Sequence, residues 1–216
     1  MDDFVKNLEK IVPSVDIIPF SASYLIKEPD VSATLKEVYL ENIDGYGVSN
    51  KICKIGNSIF AGTECPFLTK DCDGITLFQY NGVNYLLFAE LKSSTSFSSA
   101  EKAYEQLLGS MLKTLLVMRM LVRFKYLDFK FKALFISRKL SAEDRRIILL
   151  NARTKKSPKC NHILSLLEKK KLILKKSDLE TLFDPFVFED LEFVYCEVPN
   201  GSEIYTINII NDVFGR

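Results

Sequence analysis

One histidine, His162, is all the imidazole this sequence has. A metal site built from several histidines is therefore excluded, and any Ser-His-Asp or Cys-His hydrolase would depend on that one side chain. His162 lies in the polar stretch SPKCNHIL, where Cys160 stands two positions away. A Cys-His pair at that spacing has no special catalytic geometry, and a structural or surface role is the expectation. The five cysteines, Cys53, Cys65, Cys72, Cys160 and Cys196, are odd in number and never spaced CxxC. That pattern argues against both a disulfide framework and a zinc site. No GxxxxGK[S/T] and no GxGxxG occurs, so no phosphate-cradling nucleotide loop is expected. No apolar run is long enough to span a bilayer, and MDDFVKNLEK has neither the basic start nor the apolar run of a signal peptide. A cytoplasmic protein with no membrane partner is the expectation.

What is present fits one domain over residues 1–216, with 47% hydrophobic and 26% charged residues. The formal net charge of +1 hides a strong polarity along the chain. Residues 138–176 carry thirteen Lys or Arg against three acids, whereas residues 177–216 carry nine acids and one Arg. A basic run that includes Arg145, Arg146, Arg153, Lys155, Lys156, Lys159 and Lys169 to Lys171 suits a phosphate backbone, whose binding is driven largely by counterion release. The competing reading is two solvated helix faces, 141–151 and 161–171, neutralised by an acidic tail folded back on them.

The central stretch is DCDGITLFQYNGVNYLLFAELK, Asp71 to Lys92. Asn81-Gly82 between two apolar runs predicts a two-residue type I′ hairpin. In that register Tyr80 faces Val83, Asp73 falls opposite Glu90, and Asp71 falls opposite Lys92. Side chains alternate along a strand, so Lys92 shares a face with Glu90. Opposed residues have Cβ atoms roughly 4.5–5.5 Å apart, and two carboxylates so placed make most sense with a cation between them. Both strands read as apolar on both faces, the pattern of buried central strands.

Asp-Gly at the head of one strand and Glu-Leu-Lys at the end of the next resembles the active-site signature of the PD-(D/E)XK nuclease superfamily, the restriction-endonuclease-like fold. The likeness covers the acid-strand-turn-strand-ExK unit and the helix after it, less than half the chain. No Pro precedes Asp73, the local text being Lys70-Asp71-Cys72-Asp73. Either Asp could serve as the acid; Asp73, across from Glu90 and before a Gly, is preferred. The resemblance implies an α/β fold with a mixed central sheet in αβββαβ order, flanked by helices. It implies Mg²⁺ or Mn²⁺ held by Asp73, Glu90 and the backbone carbonyl of Leu91, with Lys92 beside them. It also implies an additional acid, for which Glu41 or Glu37 is the candidate, and a polar residue early in the following helix, Gln106 first and Tyr104 second.

In chain order, Phe4, Leu8 and Ile11 predict a first helix ended by Pro13. Residues 14–30 read as irregular, 31–43 as a second helix, 44–50 as a glycine-bearing loop, and 51–55 and 58–61 as short strands. Ser98 and Glu101 read as a capping box opening a long helix almost to Arg123, and 131–137 as a buried strand reached by a crossover. Together, residues of about 31–137 would form the core, with a basic helical segment at 138–176. In the acidic segment 177–216, Ser177-Asp178-Leu179-Glu180 would cap a short helix, and 191–198 and 203–210 would form a hairpin.

The expected function is a metal-dependent nuclease acting on nucleic acid, DNA favoured, with a homodimer left open. The alternatives are a catalytically inactive nucleic-acid-binding or assembly protein on the same fold, and a scaffold in which the four charged residues form only an ionic cluster.

Overall fold

Two strands that bury both of their faces decide the architecture. β5 (Gly74–Tyr80) and β6 (Val83–Lys92) hide nearly every side chain between Gly74 and Phe78 and between Tyr85 and Leu91. Such strands need a covering layer on each side. The computed structural model, which describes residues 1–60, 66–119, 129–155, 158–175, 178 and 190–215, supplies both layers. The seven-stranded sheet runs β1 (Ile17–Phe20), β4 (Gly45–Val48), β5, β6, β7 (Phe129–Arg138), β9 (Asp190–Val198), β8 (Lys171–Lys175). β4, β5 and β6 are antiparallel neighbours, β6, β7 and β9 are parallel, and both edge strands are antiparallel to their neighbours.

One face packs against α1 (Asp2–Ile11), α2 (Lys51–Phe60), α3 (Phe97–Met118), α4 (Ala142–Lys155) and α5 (Pro158–Lys169). Leu8, Ile52, Leu107, Ile148 and Ile163 meet Ile75, Phe88 and Phe135 in that core. The other face is covered by a three-stranded sheet of β2 (Ser23–Lys27), β3 (Glu37–Glu41) and β10 (Ile204–Asn208), whose Ile26, Val38, Leu40 and Ile207 pack on Phe78, Leu87 and Leu134. The chain is therefore mixed α/β, with a central mixed sheet. α3 is its main helix, burying fifteen of its 22 residues. It connects β6 to β7 as the strand pattern predicts.

Several sequence expectations are corrected. The predicted helix at 31–43 is a turn followed by β3. Val38 and Leu40 are fully buried while Tyr39 between them is not, so the period is two. Flanking strands β2 and β10 satisfy its backbone on both sides. Residues 14–30 hold β1 and β2, and Pro19 is tolerated in β1 because that strand is an edge. The glycine-bearing loop is strand β4. A Cβ at Gly45 would lie 2.3 Å from the Leu77 carbonyl, and one at Gly47 would lie 2.1 Å from the Tyr24 ring. These glycines mark close packing of a strand. The two short strands at 51–61 are instead helix α2, with adjacent Ile52 and Cys53 both buried and Cys53 touching Ser110 of α3; Ala61 lies outside the described residues.

The N-cap of α3 is Ser96, reciprocally bonded with Ser99, two residues before the expected Ser98–Glu101 box. Its expected extension beyond Arg119 lies outside the described residues, as does the short helix after Ser177 apart from Asp178. α4 runs on to Lys155, and α5 starts at Pro158 and stops at Lys169, where β8 follows. The C-terminal hairpin does not form. β9 is buried in the large sheet and β10 pairs in parallel with β3 in the small one, the chain passing between them through Gly201 at φ 91°.

Candidate functional site

Asn81 and Gly82 both take positive φ, 49° and 75°, and Tyr80 pairs with Val83. Register then runs unbroken to Gly74 opposite Ala89 and ends there, because the Asp73 amide also donates to the Ala89 carbonyl, at 3.1 Å, one residue out of step, as in a β-bulge. Asp73 lies just past the end of the ladder, close enough for its charge to act on Glu90. Asp73 Oδ2 accepts the Leu91 amide at 2.7 Å, and Lys92 Nζ donates to Glu90 Oε1. Glu90 is fully buried, and its second oxygen, Oε2, has no hydrogen-bond partner.

Burial pushes the Asp73 carboxyl up to about 7, against the pull of the Leu91 amide and of Lys92. Burial first, and the Asp73 charge second, drive Glu90 well above the usual carboxylate range, with Lys92 opposing. Two buried carboxyls held close together favour retaining a proton. A hard dication would reverse that preference, because carboxylate oxygens are its natural ligands. An orphaned, buried acceptor beside a second carboxyl thus fits Mg²⁺ or Mn²⁺ in its donor chemistry. Among the described residues no group of three or more His, Cys, Asp or Glu is placed to hold a metal ion.

Glu28 is a third acid within electrostatic reach of the two, though the three are not placed to hold one ion. Its charge adds to the upward pressure on both Asp73 and Glu90. Packing explains its place: Gly74 is so close to β2 that a Cβ there would lie 2.9 Å from Ile26 Cγ1, and Glu28 follows two residues later. The β2–β3 corner is tied to the strand end by Ser93 Oγ, which accepts the Thr34 and Leu35 amides at 2.8 and 3.1 Å. Arg138 Nη2 adds a bond to the Thr34 carbonyl at 3.0 Å. Glu37 is ion-paired with Lys27 at 2.9 Å, and exposed Glu41 stands at the other end of β3, so neither joins the pair.

Asp71 is turned away from this spot. Its carboxylate is held by Lys113 Nζ and by Asn57 Nδ2, the latter at 3.1 Å, so it does not meet Lys92 as the extrapolated register implied. Of the two, Asp73 is the one beside Glu90. Gln106 Nε2 donates to the Asp71 carbonyl at 2.8 Å, so its amide is engaged by the segment before Asp73. Tyr104 is buried, stacked on Phe193 with its hydroxyl 3.3 Å from His162 Nδ1.

The basic surface is smaller than its composition suggests. Arg145, Arg146 and Arg153 are exposed on α4 and make no ion pair among the described residues. Lys159 is held by Glu101 and Glu105 of α3 at 2.7 and 2.8 Å. Lys170 pairs with Glu197 at 2.6 Å and Lys171 with Glu192 at 2.8 Å. Lys155 ends α4, and Lys156 lies outside the described residues. Because β7 runs parallel to β6 with Ser137 beside Lys92, and α4 begins soon after β7, the helix that carries Arg145 and Arg146 starts from the same end of the central strands as Glu90 and Lys92.

Glu28 and Lys113 were not picked out from the sequence. Glu28 had no local signal, since β2 packing alone brings it near. Lys113 did have one: it is the single charge in the apolar run Leu107 to Met118, where a solvated lysine would not sit. Comparison with protein-family models, with curated proteins and with solved structures finds no match for this chain.

Proposed function

We propose that the chain is a metal-dependent nuclease of PD-(D/E)XK type, acting on the phosphodiester bonds of nucleic acid, with DNA favoured. The observation that carries this reading is the buried Glu90 carboxylate, one oxygen unpartnered, close to Asp73 and flanked by Lys92. The topology supports it as well. Antiparallel β4, β5 and β6, then α3, then parallel β7, follow the strand and helix order of a restriction-endonuclease-like core, with α2 inserted between β4 and β5.

Asp73 and Glu90, with the Leu91 carbonyl, would hold Mg²⁺ or Mn²⁺. Such an ion, when bound, supplies a Lewis acid for the phosphoryl oxygen and lowers the pKa of a water. The remaining work falls to the chain. Lys92, 19% exposed at its side chain and bonded to Glu90, sits where it can orient a water or offset negative charge on phosphate oxygens. The Leu91 amide fixes the orientation of Asp73. Arg145, Arg146 and Arg153 offer guanidinium groups suited to phosphate.

The test is Mn²⁺-dependent nicking of plasmid DNA. The wild type should nick and Glu90→Ala should fall to background while retaining DNA binding in a gel shift. If the wild type cuts nothing across single- and double-stranded DNA and RNA, the enzyme reading is wrong and a binding module is left.

A further inference from the structure

The segment that delivers Asp73 is gripped side chain by side chain from one helix. Gln106 Nε2 donates to the Asp71 carbonyl at 2.8 Å, Ser110 Oγ accepts the Cys72 amide at 2.7 Å, and Lys113 Nζ donates to the Lys70 carbonyl at 2.8 Å and to the Asp71 carboxylate. Spacings of four and three keep these residues on one face of α3. Asn57 of α2 closes the grip, its Oδ1 accepting from Lys113 at 2.6 Å and its Nδ2 donating to Asp71. Lys113 and Ser110 are completely buried. An ammonium that has left water is costly unless fully paired, and an apolar residue would fill the same space at less cost. Here each bond from Lys113, Ser110 and Gln106 to this segment ends on residues 70–72, immediately before the acid.

We infer that Lys113, together with Ser110 and Gln106, is a positioning residue for the carboxylate pair. Its comb of bonds sets the path of residues 70–72 so that Asp73 reaches the Leu91 amide and lies beside Glu90. This inference rests on the reading of Asp73 and Glu90 as the functional pair, and its test needs no metal. A buried ion pair that served stability alone would weaken the whole fold when removed, and would not loosen Asp73 in particular.

The experiment is residue-resolved amide hydrogen exchange on the metal-free full chain. The variants are Gln106→Ala, Lys113→Met, the double Asp71→Asn/Lys113→Met, and Leu108→Ala as a control destabilised from the same helix. Leu91 is the reporter, because its amide is bonded to Asp73 Oδ2. In Gln106→Ala and the double variant its exchange should quicken by about tenfold or more, while amides nearer Asn81 keep wild-type protection, a local opening of the kind native-state exchange detects. Leu108→Ala should not single out Leu91. If Leu91 stays protected in both variants, or Leu108→Ala exposes it equally, the inference is overturned. Should Lys113→Met alone fail to fold, Gln106→Ala and the double variant still decide. Failure of the wild type to bind Mn²⁺ would sink the metal site and leave the Leu91 result standing, so the two failures are distinguishable.

Discussion

At the scale of single residues, the protonation of Asp73 links site chemistry to stability. Its folded pKa of about 7 lies above its ordinary 3.8. A carboxyl that binds its proton more tightly when folded stabilises the fold in mild acid and loses that contribution as pH rises from about 4 to about 7. Glu90 is shifted the same way, and the two titrate as a pair. Urea denaturation in a chelator should therefore show stability falling over that window by up to about 1.4 kcal/mol per pH unit for each proton lost. Asp73→Asn should flatten the fall; an unchanged slope would deny the shift. The cysteines give a second expectation. Burial pushes the Cys53 thiol up to about 11 and Cys72 well above its usual range. Thiolates are the reactive form, so both should resist alkylation in the native protein and label on unfolding, as peptide mass spectrometry would show. The nearness of Asp73 and Glu90 was legible in the sequence because one asparagine-glycine step sets the pairing as far as Gly74 and Ala89, although the slip at Asp73 was not. Glu28 and the turning of Asp71 toward Lys113 were not, since both arise from contacts between distant segments.

Among the elements, the readings that failed share a cause. Glycine and short apolar runs were given local meanings that packing overrode. Gly45 and Gly47 suggested a loop, yet they let β4 pass close to Leu77 and Tyr24. Leu35, Val38, Tyr39 and Ile43 fit a helical stripe, Val38 and Leu40 fit a strand, and only the two neighbouring strands choose between them. By contrast α3, long and apolar over most of its surface, was plain apart from the position of its cap. A pair of substitutions tests the distinction. Gly45→Ala drives a methyl into backbone and should lower stability by about 2 kcal/mol or more, as overpacking does. Gly82→Ala meets nothing within 4 Å and has only its φ of 75° against it. Its cost should be about 1 kcal/mol, the left-handed penalty alone. Urea midpoints would rank the two, and the reverse order would refute the packing of β4.

For the whole molecule, charge that is segregated along the sequence is largely rejoined in space. Acids on α3 and β9 hold Lys159, Lys170 and Lys171, which favours the neutralised reading for those lysines, while the α4 arginines and Lys169 stay exposed with no ion pair among the described residues. If α4 contacts duplex DNA, replacing both Arg145 and Arg146 by Ala should cut the salt dependence of binding by about two counterions, roughly 0.9 per phosphate contact. Lys170→Ala should leave that slope unchanged and weaken the fold instead. Fluorescence anisotropy across a salt series separates these outcomes, and equal effects from both would contradict the division. The central claim is that Asp73 and Glu90 are a cation site held as a proton-sharing pair. Titration calorimetry with Mn²⁺ at pH 7.5, a value on the order of the Asp73 pKa or just above, tests it most directly. Wild-type protein should bind Mn²⁺, and Asp73→Asn and Glu90→Gln should each abolish that binding. Wild-type protein that binds no Mn²⁺, or variants that bind as well as it does, would contradict it.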